Sequence, residues 1–400
     1  MSAGEWEQAV RAVLAELNET HLYRQRRLII PLDATHVSWQ GREYVNFASN
    51  NYLGLTHHPK VIHAAEKSLH RDGGGAGASA LICGYGPAHA SAEQHLARWK
   101  GAEACVLLPS GYQANHAAVQ TLAAGAERSG KRVRFLLDKL CHASLIDAVR
   151  STGLPFRVFP HNNLEKLKKL LEIGETGDVQ VVVTESIFSM DGDAADLEGL
   201  SRLKRQRPFL LLVDEAHSTG VYGPAGSGLL AELDMRELAD VTVITLSKSI
   251  GCAGGAVCAS GTFCEALVNF ARAYLYSTNM PAAIAAAADA AVSVMEEEPQ
   301  RQRRVRELAV YVRKELAQTR FGVPSGSSPI VPIVIGAEIA ALEAAEKLMS
   351  EGLLVLAIRP PTVARGTCRL RVTLSCEHSD SEIEQLIRSI RELEMARASS

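Results

Sequence analysis

Between residues 104 and 259 the chain carries a regular series of apolar runs. They read ACVLL, VRFLLD, FRVF, VQVVVTE, FLLLVD, VTVIT and GGAVCA, and most are separated by segments of crossover length. Within each run Val, Leu and Ile follow one another without polar alternation, the pattern of strands covered on both faces. Strand–helix repetition of this kind predicts a mainly parallel α/β sheet of about seven strands. Function in such sheets collects just past the strand C-termini. The polar clusters fall there: Ser110 to Tyr112, Asp138 to Ser144, Glu185 to Asp193, Asp214 to His217, and Thr245 to Lys248.

The flanks follow other rhythms. Val10, Val13, Leu14 and Leu17 have helical spacing, so the N-terminus predicts an amphipathic helix. HVSWQGREYVNF reads as two short strands around Gln40-Gly41. PKVIHAAEKSLHR and PAHASAEQHLARWKG read as helices stopped by glycine. From about Pro281 a long helix with basic residues is followed by SPIVPIVIG, a helix, LLVLAIRPP, CRLRVTLS and a final helix, which reads as a smaller α+β domain. The expected division is an N-terminal helix and arm over 1–45, a large domain over 46–285 and a small domain over 286–400.

Composition narrows the function classes. The formal net charge of −3 over 400 residues offers no basic field for nucleic acid and no basic tract for lipid. The eight cysteines are scattered without a C-x-x-C pair, so no metal site is expected, and free thiols suit a reducing cytoplasm. Acidic residues from Glu5 onward rule out a signal-peptide pattern, and no uncharged apolar run of about 18 residues occurs. A cytoplasmic protein without membrane or nucleic-acid partners is the expectation.

Three stretches invite a nucleotide reading. LLVDEAH looks like a helicase motif, and Lys248-Ser249 resembles the end of a phosphate loop. A phosphate loop needs glycines ahead of its lysine, however, and VTVITLS has none; the lysine also follows the acidic motif instead of preceding it. DGGGAGASA follows a predicted helix, not a first strand, which removes its dinucleotide meaning and leaves a turn or a backbone passing close to a ligand or another subunit.

Asp214, His217 and Lys248 lie at the ends of adjacent predicted strands. Each alone reads as a cap or loop residue; together they suit pyridoxal 5′-phosphate (PLP). A lysine amine forms a Schiff base with its aldehyde. A carboxylate keeps its pyridine nitrogen protonated. His142 in DKLCHASL is a candidate for stacking on its ring, and Ser110, Gly111 and Tyr112, after a strand and before a helix, are candidate phosphate donors.

Eight segments in order then carry a family resemblance: NFASNNYLGLTHHP, SGYQAN, DKLCHASL, VVTESIFSMDGD, LLVDEAHSTG, TLSKSIGCAGG, YSTNMP and IRPPTVARGTCRLRVTLS. The chain resembles the α-oxoamine synthases, fold-type I PLP enzymes, from about Tyr23 to beyond Ser375. The resemblance implies the Schiff base at Lys248, the pyridine-nitrogen partner at Asp214, a donor to the ring's phenolic oxygen at His217 and the stacked imidazole at His142. It implies phosphate contacts at Gly111, Tyr112 and Thr245, and Ser189 near the phenolic oxygen. Ser277 and Thr278 would reach the phosphate from a neighbouring subunit, which implies a homodimer with shared sites. Asn51 and Arg359 would hold the amino acid, and Arg24 the far carboxylate of the acyl chain. The implied reaction is decarboxylative condensation of L-alanine with a pimeloyl thioester of coenzyme A or of an acyl carrier protein, with glycine plus acetyl-CoA as the alternative pair. Ala80 and CHAS depart from the family pattern.

Overall fold

The computed structural model describes residues 1–174 and 177–398. Its contacts divide into two compact units, one of residues 50–306 and one that joins 1–49 with 307–400. The N-terminal segment therefore groups with the C-terminal one instead of forming an arm of its own. Residue 285, the expected end of the large domain, lies inside helix Ala282–Glu297, and the unit boundary falls within the next helix, Gln300–Leu316. The first of these helices is alanine-rich, and its Ala283, Ala285, Ala287, Ala288 and Ala291 are buried. Small side chains let it pack closely on helices Pro59–Asp72 and Pro87–Lys100.

The 50–306 unit is built on seven strands: β1 (Ala104–Leu108), β2 (Val133–Asp138), β3 (Phe156–Phe159), β4 (Val179–Glu185), β5 (Leu210–Asp214), β6 (Val241–Thr245) and β7 (Gly255–Ala259). Their order is β1-β7-β6-β5-β4-β2-β3. β7 runs antiparallel to both neighbours; the pairs from β6 to β3 are parallel. Val181, Val182 and Val183 are all fully buried, so side chains on both faces of β4 are covered, as the unbroken apolar run predicts. One face packs against helix α1 (Gly111–Arg128) and helix α2 (Ala143–Ser151) through Ala114, Ala118, Leu122, Leu145 and Val149.

Register brings the strand ends into line. Glu185 pairs with Asp214, Asp214 with Val243, Thr245 with Gly255 and Gly255 with Leu108. The polar residues that close β4, β5 and β6, and the turn after β1, therefore lie on one edge, with neighbouring strands about 4.8 Å apart.

The other unit holds hairpin His36–Trp39 and Arg42–Asn46, turning at Gln40 (φ 53°) and Gly41 (φ 76°). Two successive positive φ values suit a two-residue hairpin turn. Leu353–Leu354 adds parallel to the hairpin, and Ile330–Gly336, Cys368–Thr373 and Leu356–Ile358 form a three-stranded antiparallel sheet. Helix Ala3–Glu19 forms as its spacing predicts and starts with a Ser2–Glu5 capping box, but none of its residues is buried. No helix among the described residues is long and apolar enough to cross a membrane.

Candidate active site

Lys248 sits in the nine-residue return between β6 and β7, where no helix begins. A phosphate loop delivers its lysine at a helix start, so the nucleotide reading has no structural footing here. Gly251 turns this return with φ +73°; a Cβ there would lie 2.6 Å from the Thr56 nitrogen. The turn thus requires both the left-handed conformation and the missing side chain.

Lys248 Nζ lies 2.7 Å from His217 Nε2, and His217 Nδ1 lies 2.6 Å from the hydroxyl of fully buried Tyr52. The Tyr52 hydroxyl is also 3.3 Å from Asn50 Oδ1. This row supports two proton arrangements. An ammonium at Lys248 donates to Nε2, Nδ1–H donates to Tyr52 and Tyr52 donates to Asn50. With a neutral amine the tautomer reverses: Tyr52 donates to Nδ1 and Nε2–H donates to Lys248. The row lets Lys248 hold or give up a proton without leaving the imidazole unpaired.

Asp214 ends β5 and is buried. Its Oδ1 accepts from the Ala216 N–H at 2.9 Å and its Oδ2 from Asn115 Nδ2 at 2.8 Å. His142 caps α2, and the residue stays partly accessible to water at the strand-end edge. Withdrawal of water pushes its pKa below the ordinary value; Asp214 and Asp147 oppose that shift and Lys248 adds to it. Beside it Glu185 is buried at the end of β4 and accepts from the His142 backbone N–H. Burial, reinforced by the Asp214 charge, pushes the Glu185 carboxyl well above the usual range.

The turn after β1 forms a cradle. Ser110 caps α1 by accepting from the Gln113 N–H at 3.1 Å, and the first intrahelical bond is Ala114 N–H to Ser110 O. The N–H groups of Gly111 and Tyr112 belong to the first turn, where helix geometry provides no partner. A Cβ at Gly111 would lie 3.0 Å from Thr245 Oγ1, so the Thr245 hydroxyl borders the same space. The Tyr112 side chain turns outward, donating to Asp147 Oδ2 at 2.8 Å and stacking on His116.

The remaining expected residues are distributed differently. Ser189 is buried in the turn after β4, which bonds back through Phe188 N–H to Asp193 O. Asp193 is tied to His161 at 2.7 Å, and the other His161 nitrogen lies 3.0 Å from Asp138. Ser277 Oγ accepts from Gln113 Nε2 of the same chain at 2.9 Å, and Thr278 bridges Ser79. Asn51 is buried and donates to Thr56 Oγ1 at 2.8 Å, closing its own turn. Arg24 and Arg359 both belong to the 1–49/307–400 unit. Burial lowers the Arg359 pKa and the Arg24 charge adds to the shift. Tyr52 and Asn115 complete the site without having been singled out in the sequence, while Ser144 and Glu185 bound two of the strand-end polar clusters but were given no role there. Tyr52 and Asn115 do lie inside the matched segments NNYLGL and SGYQAN, and Asn115 is one helical turn beyond Gly111.

Among the described residues no cluster of His, Cys, Asp and Glu could hold a metal ion. The arrangement instead offers a lysine beside an imidazole, a hydrogen-bonded carboxylate, a partly accessible histidine and a helix-start cradle. The model of the family described as aminotransferase class I and II matches residues 42–390. The chain belongs to this family. Within it, the chain is 40% identical to the 8-amino-7-oxononanoate synthase of Hahella chejuensis over 94% of this chain and 93% of that protein. A solved structure of SPT with PLP superposes with a TM-score of 0.90 at 26% identity, covering 99% of each chain. A crystal structure of 8-amino-7-oxononanoate synthase from Francisella tularensis superposes at 0.75 and 25% identity, covering 87% of this chain and 97% of that one. The fold-type I architecture and the α-oxoamine synthase resemblance both agree with these matches.

Proposed function

We propose that the chain is a PLP-dependent acyltransferase. It condenses L-alanine with a pimeloyl thioester, releasing CO₂ and the thiol carrier, to give 8-amino-7-oxononanoate for biotin synthesis. The observation that carries the reading is the meeting of Lys248, His217 and Asp214 at adjacent strand ends, in a chain so similar to the Hahella chejuensis synthase.

The residues present fit the cofactor. The glycine at 111 keeps open a space that a Cβ would fill, bordered by N–H groups and the Thr245 hydroxyl, which suits a phosphate. The carboxylate of Asp214 suits a protonated pyridine nitrogen, and the His142 ring suits a flat aromatic group. When bound, PLP supplies an aldehyde for covalent capture of an amine and an electron sink for charge developed at the amino acid's Cα. Lys248 Nζ is the amine suited to that capture and, once neutral, the base suited to accept the Cα proton. His217 holds the lysine through the tautomer exchange described above. Arg359 presents a guanidinium for the amino acid's carboxylate, and Arg24 one for the far end of the acyl chain. Ser189 and Asn51 flank the cofactor and amino acid in this reading.

The reading extends to a homodimer in which Ser277 and Thr278 serve the partner's phosphate, and to coenzyme A or an acyl carrier protein as the carrier of the thioester. Eight free thiols suit a cytoplasmic location.

The purified chain should acquire a visible absorbance band with PLP, and Lys248→Ala should lose both band and turnover. Retained band and turnover in that variant would refute the role of Lys248.

A further inference from the structure

The hydrogen-bond chain ending at His142 has a direction, and Asn115 sets it. Asn115 is 2% exposed, and its Nδ2 has two hydrogens. One goes to Asp214 Oδ2 at 2.8 Å and the other to Ser144 Oγ at 2.9 Å. The opposite amide orientation would set Asn115 Oδ1 against the Asp214 carboxylate, so chemistry fixes the assignment. Having accepted from Asn115, the buried Ser144 hydroxyl directs its own hydrogen to His142 Nδ1, 2.7 Å away. The Ser144 backbone N–H faces the same nitrogen at 3.2 Å. Nδ1 thus meets two donors and stays unprotonated, and the neutral ring carries its proton on Nε2.

We propose that Asn115 is a positioning residue whose amide orients the Asp214 carboxylate and, through Ser144, keeps His142 as the neutral Nε2–H tautomer. This rests on the PLP reading for what His142 and Asp214 face. A cationic imidazole against a protonated pyridine ring would be repulsive, so a neutral His142 leaves Asp214 to act alone on the ring nitrogen. The charged groups acting on His142 are Asp214 and Asp147, which favour its cation, and Lys248, which opposes it; the Glu185 carboxyl holds its backbone N–H.

Asn115→Asp tests the assignment. A carboxyl introduced there accepts the Ser144 hydrogen whether or not it shares a proton with Asp214, so Ser144 turns away from Nδ1. Nitrogen-15 NMR of the histidines in the full chain, with and without PLP, reads the tautomer and titration of His142; His142→Gln identifies its signals. We expect Asn115→Asp to remove the Nε2–H signature, to raise the pH at which His142 ionises, and to weaken PLP binding about 10- to 100-fold. Ser144→Ala, which keeps the amide on Asp214 and adds no charge, should move the His142 signals with a smaller change in PLP affinity. It supplies the reading on its own should Asn115→Asp fail to fold. A residue that merely glues α1 to β5 would change stability without moving the His142 tautomer. Unchanged His142 signals in both variants overturn the inference. Failure of the wild-type chain to take up PLP would instead overturn the functional reading, and the His142 signals of the cofactor-free chain would still decide the role of Asn115.

Discussion

Lys100→Met should be among the most damaging single changes outside the reacting groups. The loop after Asp214 is anchored by Glu215, whose side chain is 1% exposed. Its Oε2 lies 2.5 Å from Lys100 Nζ, itself 3% exposed, while Oε1 accepts from Ser218 Oγ and the Leu230 N–H, both at 3.0 Å. Lys100 also donates to Ser227 O, and a Cβ at Gly228 would fall within 2.6 Å of Lys100 Nζ, so backbone closes over the pair. Removing the ammonium leaves a buried carboxylate with two neutral donors and no cation. Breaking such a pair costs about 3–5 kcal/mol. A unit of this size loses about 2–4 °C of Tm per kcal/mol, so the expected fall is roughly 6–20 °C. Lys100→Met with Glu215→Gln should regain most of this, because the new amide oxygen can still accept from Ser218 Oγ and the Leu230 N–H and no buried charge is left without a counter-charge. Denaturation of the two single variants and the double variant measures the coupling. A loss below about 1 kcal/mol in Lys100→Met, the range of surface pairs, would refute the claim that this pair anchors the loop carrying His217.

Other consequences are testable in the same protein. Burial opposes charge on His161, but its bonds to Asp138 and Asp193 outweigh that and push its pKa up to about 10. Its contribution is then complete below the ordinary histidine pKa of about 6.5 and fades as pH rises through 10; a His161→Gln variant should lose stability at neutral pH and converge on wild type at alkaline pH, and parallel curves would contradict this. Gly111→Ala should weaken PLP binding with little change in Tm, since the new methyl meets the Thr245 hydroxyl at the cradle; equilibrium dialysis checks it, and unaltered affinity would remove the cradle from the site. Tyr52→Phe keeps the packing but removes the hydroxyl that bonds His217 Nδ1, so stability should fall by about 1 kcal/mol and the pH profile of turnover should shift. An unshifted profile would detach Tyr52 from Lys248.

The large sheet was legible because burial on both faces writes itself as unbroken Val/Leu/Ile runs. The antiparallel direction of β7 was also available, in the length of the β6–β7 return: nine residues cannot make the dozen-residue crossover a parallel neighbour needs. The unit boundary was not legible, because the alanine-rich helix that follows Pro281 changes the composition but packs inside the 50–306 unit. Helix Ala3–Glu19 shows that apolar spacing fixes a helix without fixing what covers it.

At the candidate site, Asp214, His217 and Lys248 stood out because titratable groups at the ends of apolar strands are conspicuous. Asn115 did not, because an amide in a helix announces nothing until folding brings α1 beside β5. Tyr52 likewise gains its meaning from His217, 165 residues away. The expected reach of Ser277 and Thr278 into a neighbouring subunit came from the family resemblance alone, since it depends on assembly.

The most direct measurement follows carbon. Purified chain loaded with PLP is incubated with L-alanine carrying carbon-13 in its carboxyl group and with a pimeloyl thioester, and products are read by mass spectrometry. The account predicts labelled CO₂ and an unlabelled amino ketone of the mass of 8-amino-7-oxononanoate, with glycine plus acetyl-CoA far less effective. Pyruvate that retains the label, with no new carbon–carbon bond, would show amino-group transfer and contradict the account.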